Sequence, residues 1–172
     1  MFASIFFTFC TIQQLNINTD ALTKMNNRRS FEEYAVSQAE SFSEESPVFM
    51  FIGEVNSFKQ INDKYGHVEG DRALVLLAEV IKEVVSERSG FAARFGGDEF
   101  VWIVKGVDPD SVVSEISDRL LTRCENEKTP YLVTVSCGYA RCSDPSVPTS
   151  AYMKEADRML YENKELYHKK AG

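Results

Sequence analysis

A pair of consecutive glycines, Gly96-Gly97, sits between an aromatic-flanked run (Phe91 to Phe95) and an apolar run (Phe100 to Val104). This pattern predicts a β-hairpin whose tight turn needs positive φ. Two acids, Asp98 and Glu99, follow the glycines directly. Side chains alternate along a strand, so the two carboxylates are expected on opposite faces near the hairpin tip. Adjacent acids on a stiff turn suit a hard divalent cation, which takes oxygen ligands. On the turn alone, a surface hairpin with solvated acids is the simpler reading.

The 172 residues are enough for one domain with a real core, and 44% hydrophobic with 26% charged residues is ordinary for a soluble globular protein. A net charge of −7 argues against a general nucleic-acid binder, because phosphate backbones demand a basic face. A small anionic substrate fits if a cation offsets the charge locally. Cys10, Cys124, Cys137 and Cys142 form no CxxC pair and no metal-ligand spacing with the two histidines. They read as reduced cytosolic thiols, with a Cys137–Cys142 bridge as the alternative.

Met1 to Leu15 is apolar and aromatic, with Phe2, Ile5, Phe6, Phe7 and Phe9 and no charged side chain. It is shorter than the roughly 20 apolar residues of a membrane span and lacks the basic start of a signal peptide. Residues 1–18 are therefore expected to be an amphipathic or partner-facing helix, or the stub of an upstream sensor or membrane segment. Residues 19–172 form the domain proper.

The stretch Thr19 to Phe31 reads as a turn, with Ser30 capping a helix that carries Phe31, Tyr34, Ala35 and Gln38 at helical spacing. Val48 to Val55 is nearly continuous apolar, the mark of a central strand buried on both faces. Glu54 near its end is unusual. A carboxylate there is costly unless it is paired, coordinated or at the rim, and the residues alone leave rim residue and metal ligand open. A turn and short helix from Asn56 to Asp71 follow, rich in Asn, Asp, Lys and Gly. Backbone amides at such a strand-to-helix turn can cradle phosphate.

Taken together, Asp20-x-Leu22-Thr23 with Asn27-Arg28-Arg29, then Lys59, Ile61, Asn62, Asp63, Gly66, His67, Gly70 and Asp71 in register, then Gly96-Gly97-Asp98-Glu99-Phe100, closely resemble the GGDEF domains, the diguanylate cyclases. The resemblance covers about Asp20 to His168 and extends to Thr134-x-Ser136-x-Gly138 and Ala156-Asp157-x-x-Leu160-Tyr161-x-x-Lys164. The remaining elements follow from the pattern. A long helix is expected from Gly70 to Ser89, and a second opens at Asp108-Pro109 with Ser111. A strand is expected from Tyr131 to Tyr139 and a last helix from Ser150. The βααββαβα order gives an α+β, palm-like nucleotidyl-cyclase fold: a central mixed sheet flanked by helices, with the Gly-Gly hairpin at the active site.

The resemblance implies a diguanylate cyclase that condenses two GTP into cyclic di-GMP. Glu54, the carbonyl of Val55 and Asp98 would hold Mg²⁺ or Mn²⁺, and Glu99 would stand near the attacking ribose hydroxyl. Asn62 and Asp71 match the guanine-reading positions, since an amide and a carboxylate can pair with that base edge. Phe58 and His67 fall on the substrate side, although His67 equally suits a backbone-satisfied helix start. Lys59 and Lys164 match cations that meet the triphosphate. One domain binds one GTP, so turnover implies a homodimer, in the cytoplasm or tethered to a membrane through an upstream segment.

Four positions depart from the family's pattern: Lys24 for Gly, Glu54 for the usual Asp, Asn56 for a second Asp, and His168 for Arg. Many members also carry an Arg-x-x-Asp product site before the hairpin, and the matching positions here are Glu87 and Gly90. The alternative reading is accordingly a degenerate domain that binds GTP, cyclic di-GMP or a protein partner without turnover.

Overall fold

The computed structural model describes residues 18–171, with side chains to residue 169. The apolar stretch Met1 to Leu15 and Cys10 lie outside the described residues. A five-stranded mixed sheet has the order β1-β3-β4-β2-β5. Its strands are β1 (Asn26–Asn27), β2 (Val48–Val55), β3 (Phe91–Gly96), β4 (Glu99–Lys105) and β5 (Val135–Cys142). β1 pairs parallel with β3, and the other three pairings are antiparallel. The helices are α1 (Arg28–Gln38), α2 (Phe58–Tyr65), α3 (His67–Ser86), α4 (Pro109–Glu127) and α5 (Thr149–Ala171).

Alternation along the strands divides the core in two. Phe49, Phe51, Val55, Phe100, Trp102 and Val104 face one side, where they meet Ile61 of α2, Leu74, Leu77 and Ile81 of α3, and Ile116 and Leu120 of α4. Val48, Met50, Ile52, Val101 and Ile103 face the other, against Phe31 and Ala35 of α1 and Tyr152, Ala156 and Leu160 of α5. β2 lies between β4 and β5 and is buried along its length except at Glu54, as its apolar run predicts. Trp102 is fully buried and stacks on Phe51 at 5.2 Å between ring centroids.

Several elements differ from the sequence reading. The strand expected over 131–139 runs over Val135–Cys142 instead. Residues before it turn away from the ladder, with Val133 N–H on Cys124 Sγ and the Tyr131 hydroxyl on Glu69. α3 begins at His67 rather than Gly70, because Gly66, at φ 87°, ends α2 and restarts the helix at once. α1 is capped by Asn27 rather than Ser30: the Asn27 side chain accepts the Ser30 N–H at 3.1 Å. Ser30 stands three positions inside, where its amide is the donor to be capped. Cys124, Cys137 and Cys142 are free and buried, so the 137–142 bridge does not form. Among the described residues no helix is long and apolar enough to cross a membrane.

Candidate active site

The hairpin turns as its glycines require. Gly96 and Gly97 have φ of 134° and 55°, values that strain any residue with a Cβ. β4 begins at Glu99, so Asp98 lies in the turn itself. The alternation expected for the two acids therefore does not apply. Both carboxyls instead feel Glu54. Burial first, then the Glu54 charge, pushes the Asp98 carboxyl above the usual carboxylate range, against its own backbone N–H and the cations Lys164 and Arg94. Burial and Glu54 raise Glu99 in the same way, with Arg28 opposing.

Glu54 reaches this corner through sheet register. It is the direct cross-strand partner of Glu99 on one side and of Ser136 on the other. Paired residues of an antiparallel ladder share a face, so Glu54 and Glu99 both point toward the α1/α5 side. The Val55 N–H donates to the Asp98 carbonyl at 3.4 Å, which ties the end of β2 to the turn. From α5 the Lys164 ammonium donates to Glu54 Oε2.

Asp20, Thr23 and Arg94, to which the sequence reading gives no part in the site, hold the turn. Arg94 donates through Nε and Nη2 to the Gly97 carbonyl at 3.1 and 2.6 Å, and through Nη1 to Asp20 Oδ1 at 2.9 Å. The same Asp20 oxygen accepts the Thr23 N–H at 2.8 Å and its hydroxyl at 2.7 Å. Burial alone would raise the Asp20 carboxyl, but the bonds from Thr23 and Arg94 outweigh it and leave the pKa lowered. Asp20-x-x-Thr23 is thus a strut for the hairpin as well as a local turn. Within that strut Lys24 sits at φ 56°, the left-handed region, which explains why glycine is usual in the family at this position.

A second strut fixes the other flank. Asn56 is buried; its Nδ2 donates to Thr134 Oγ1 at 3.1 Å, and its Oδ1 accepts the Ser136 hydroxyl at 2.6 Å. Its backbone N–H donates to the Thr134 carbonyl at 2.8 Å. Thr134 and Ser136 therefore hold the exit of β2, and Ser57 next to it takes φ 53° to start α2. Gly138 completes that motif for a packing reason: a Cβ there would stand 2.1 Å from the Ala156 carbonyl of α5.

The expected base-reading residues lie on the α2/α3 pair. Asn62 is half-buried with its side chain directly over Gly70, where a Cβ would meet Asn62 Oδ1 at 2.0 Å. The absent Cβ of Gly70 brings that amide beside the first turns of α3, where Asp71 is exposed. Lys59 is exposed on the first turn of α2, and Phe58 leans on the core. His67 is exposed at the start of α3. His168, near the end of α5, is also exposed, with its ring against Tyr167.

Among the described residues no group of three or more His, Cys, Asp or Glu side chains is drawn together to hold a metal ion alone. A Mg²⁺-type cation ordinarily takes only one or two carboxylates, with water and substrate phosphates completing its shell. Two repelling carboxylates, Glu54 and Asp98, beside the Val55 backbone suit that chemistry. They do not suit zinc, which favours nitrogen and sulfur ligands.

A five-stranded sheet with this hairpin and acid corner defines a nucleotidyl-cyclase-like domain. The family model described as diguanylate cyclase, GGDEF domain, matches residues 17–170, and the chain belongs to the GGDEF-domain family. It is 31% identical over 148 residues to the probable diguanylate cyclase DgcJ of Escherichia coli, covering 86% of this chain and 29% of that protein. It is also 31% identical over 150 residues to the diguanylate cyclase DgcS of Shewanella oneidensis, covering 84% and 49% respectively. The chain thus spans less than half the length of these curated relatives. Among solved structures, the coiled coil and GGDEF domain of DgcB from Caulobacter crescentus, in complex with c-di-GMP, aligns with a TM-score of 0.78 at 25% identity. That alignment covers 95% of this chain and 90% of the other.

Proposed function

We propose that this chain condenses two GTP into cyclic di-GMP with release of two pyrophosphates. The observation that carries the reading is the register pair Glu54–Glu99 beside the Asp98 turn, where burial and the Glu54 charge raise Asp98 and Glu99 above their ordinary pKa. Carboxylates held against one another without a structural partner for each are the arrangement a cation-dependent phosphoryl transfer needs.

Glu54, Asp98 and the Val55 carbonyl would hold Mg²⁺ or Mn²⁺, which supplies charge neutralisation and a lowered hydroxyl pKa when bound. Glu99 is set to accept the 3′-hydroxyl proton as that oxygen attacks the α-phosphate of the other GTP. A new P–O bond forms, and pyrophosphate leaves with the old bond's electron pair. Lys59 and Lys164 meet the triphosphate and offset its developing charge. Asn62 and Asp71 bind the guanine edge, the carboxylate accepting from N1–H and N2–H₂. Phe58 and His67 flank the substrate. Each domain binds one GTP, so two copies meet face to face as a C₂ homodimer.

The second reading, a domain that binds nucleotide or a partner without turnover, draws on one observation: Glu54, already a departure from Asp, is engaged by Lys164. Product analysis separates the two. Incubation with GTP and either metal should yield cyclic di-GMP at a rate rising more than linearly with protein concentration, and ATP should yield no cyclic dinucleotide. Adenine offers no N1–H, and a site built on hydrogen bonds rejects such mismatches strongly. Bound but unconverted GTP would establish the second reading instead.

A further inference from the structure

Three carboxylates share the corner, but its cations are unequally committed. Arg94 is taken up by the Gly97 carbonyl and Asp20, and its side chain is only 10% exposed. Arg28 pairs with Glu32 and lies over the Phe95 ring. Lys164 alone among the described cations donates directly to a carboxylate of the corner, on Glu54.

Its position is not that of a mobile surface lysine. The neighbouring Asn163 donates from Nδ2 to the Cys137 carbonyl at 2.8 Å, locking this turn of α5 to β5. One turn earlier, Gly138 admits the α5 backbone against the strand. The rigid helix therefore delivers the ammonium to Glu54, and both side chains are about one-third exposed or less.

We propose that Lys164 and the divalent cation compete for the Glu54 carboxylate, so that metal binding displaces the lysine and frees its ammonium for an anionic ligand. This rests on the reading of Glu54 as a metal ligand. A carboxylate oxygen that accepts from an ammonium cannot at the same time coordinate a dication at full strength, and two cations crowded on one carboxylate repel. The longer Glu54 side chain fits this exchange, because it has one more torsion than Asp with which to leave one cation for the other.

Mn²⁺ binding to the nucleotide-free chain, followed by loss of the free-ion EPR signal, tests the proposal. Lys164→Met keeps the aliphatic stem and removes the charge. It is expected to bind Mn²⁺ about five-fold more tightly than the parent. Lys164→Gln is expected to do the same and serves if the Met variant does not fold, while Lys164→Arg, which keeps the competitor, should bind like the parent. Arg28→Met controls for the loss of a cation that reaches the corner only at a distance, and its gain should be smaller. An affinity in the uncharged variants that is unchanged, weaker, or no higher than in Arg28→Met overturns the proposal; a merely structural lysine would give the weaker binding. Glu54→Ala reports separately on the metal assignment. Its loss of Mn²⁺ binding beside an unresponsive Lys164 would sink the exchange alone, whereas undiminished binding would remove Glu54 as a ligand and the exchange with it.

Discussion

Two clusters of charge on this domain have opposite characters. Between α3 and α4, Arg88, Arg119 and Arg123 interleave with Glu79, Glu83, Glu87 and Glu115 in a lattice of ion pairs. Glu87 is held below its ordinary pKa, first by the Arg119 hydrogen bond. At the hairpin corner Glu54 is paired with Lys164, whereas Asp98 and Glu99 have no ion pair of their own among the described residues and are pushed up by burial and by the Glu54 charge. Acids that serve the fold are each given a cation. Acids left in mutual repulsion hold free energy against the fold, and a bound cation would recover it.

The comparison breaks first, and by the largest margin, at Glu54. Glu54→Ala is expected to reduce cyclic di-GMP formation at least ~100-fold, a loss typical of removing an electrostatic partner of the transition state. The parent should run faster with Mn²⁺ than with Mg²⁺, because the longer side chain displaces its oxygens and Mg²⁺ tolerates displacement poorly. Glu54→Asp should raise the Mg²⁺ rate or leave it unchanged. Steady-state assays in the two metals check all three statements.

Next comes the Asp20–Arg94 strut. Arg94→Ala leaves Asp20 and the Gly97 carbonyl without their donor and is expected to cost about 1–3 kcal/mol in denaturant unfolding. Turnover should fall about ten-fold or more as the turn loosens, because small misplacements of catalytic groups are costly. A stable, fully active Arg94→Ala would remove the strut from the account.

Much of this was legible in the chain, and the limits have physical causes. The hairpin and the buried β2 announce themselves through Gly-Gly and an unbroken apolar run, both local signals. β1 does not, because two asparagines carry no periodicity and their strand partner, β3, lies far along the chain. The Asp20–Arg94 pair spans 74 positions and the Glu54–Lys164 pair 110, so no local pattern could join them. Thr134, Ser136 and Gly138 were recognisable as family letters, but their reasons became visible only when Asn56 and the Ala156 carbonyl were seen beside them. Strand alternation fails at Asp98 because that residue lies in the turn, one position before β4 begins.

On the paired side the effects should be smaller. Arg119→Ala is expected to lower the melting temperature by about 2 °C and leave turnover unchanged, since exposed ion pairs contribute little. Glu87 is engaged by Arg119, and a Cβ at Gly90 would stand 2.5 Å from the Ile103 carbonyl. Glu87 and Gly90 stand at the two positions of the family's product site, and Arg88, one place off, pairs with Glu115, so cyclic di-GMP should not inhibit through this surface. Tight product binding that Arg119→Ala or a Glu87 variant abolishes would contradict this. The smallest effect is set at Lys24, where replacement by Gly relieves the left-handed backbone and should stabilise by about 0.5 kcal/mol in chemical denaturation.

The central claim, that the hairpin acids are held for chemistry and against the fold, is tested most directly by Asp98→Asn, with thermal melting and cyclic di-GMP formation measured on the same preparation. The amide keeps the shape of the turn and removes the repulsion from Glu54. The variant should melt no lower than the parent without added metal, with a gain on the order of 0.5 kcal/mol, and should form no cyclic di-GMP. A variant that melts lower, or that still turns over GTP at the parent rate, would contradict the account.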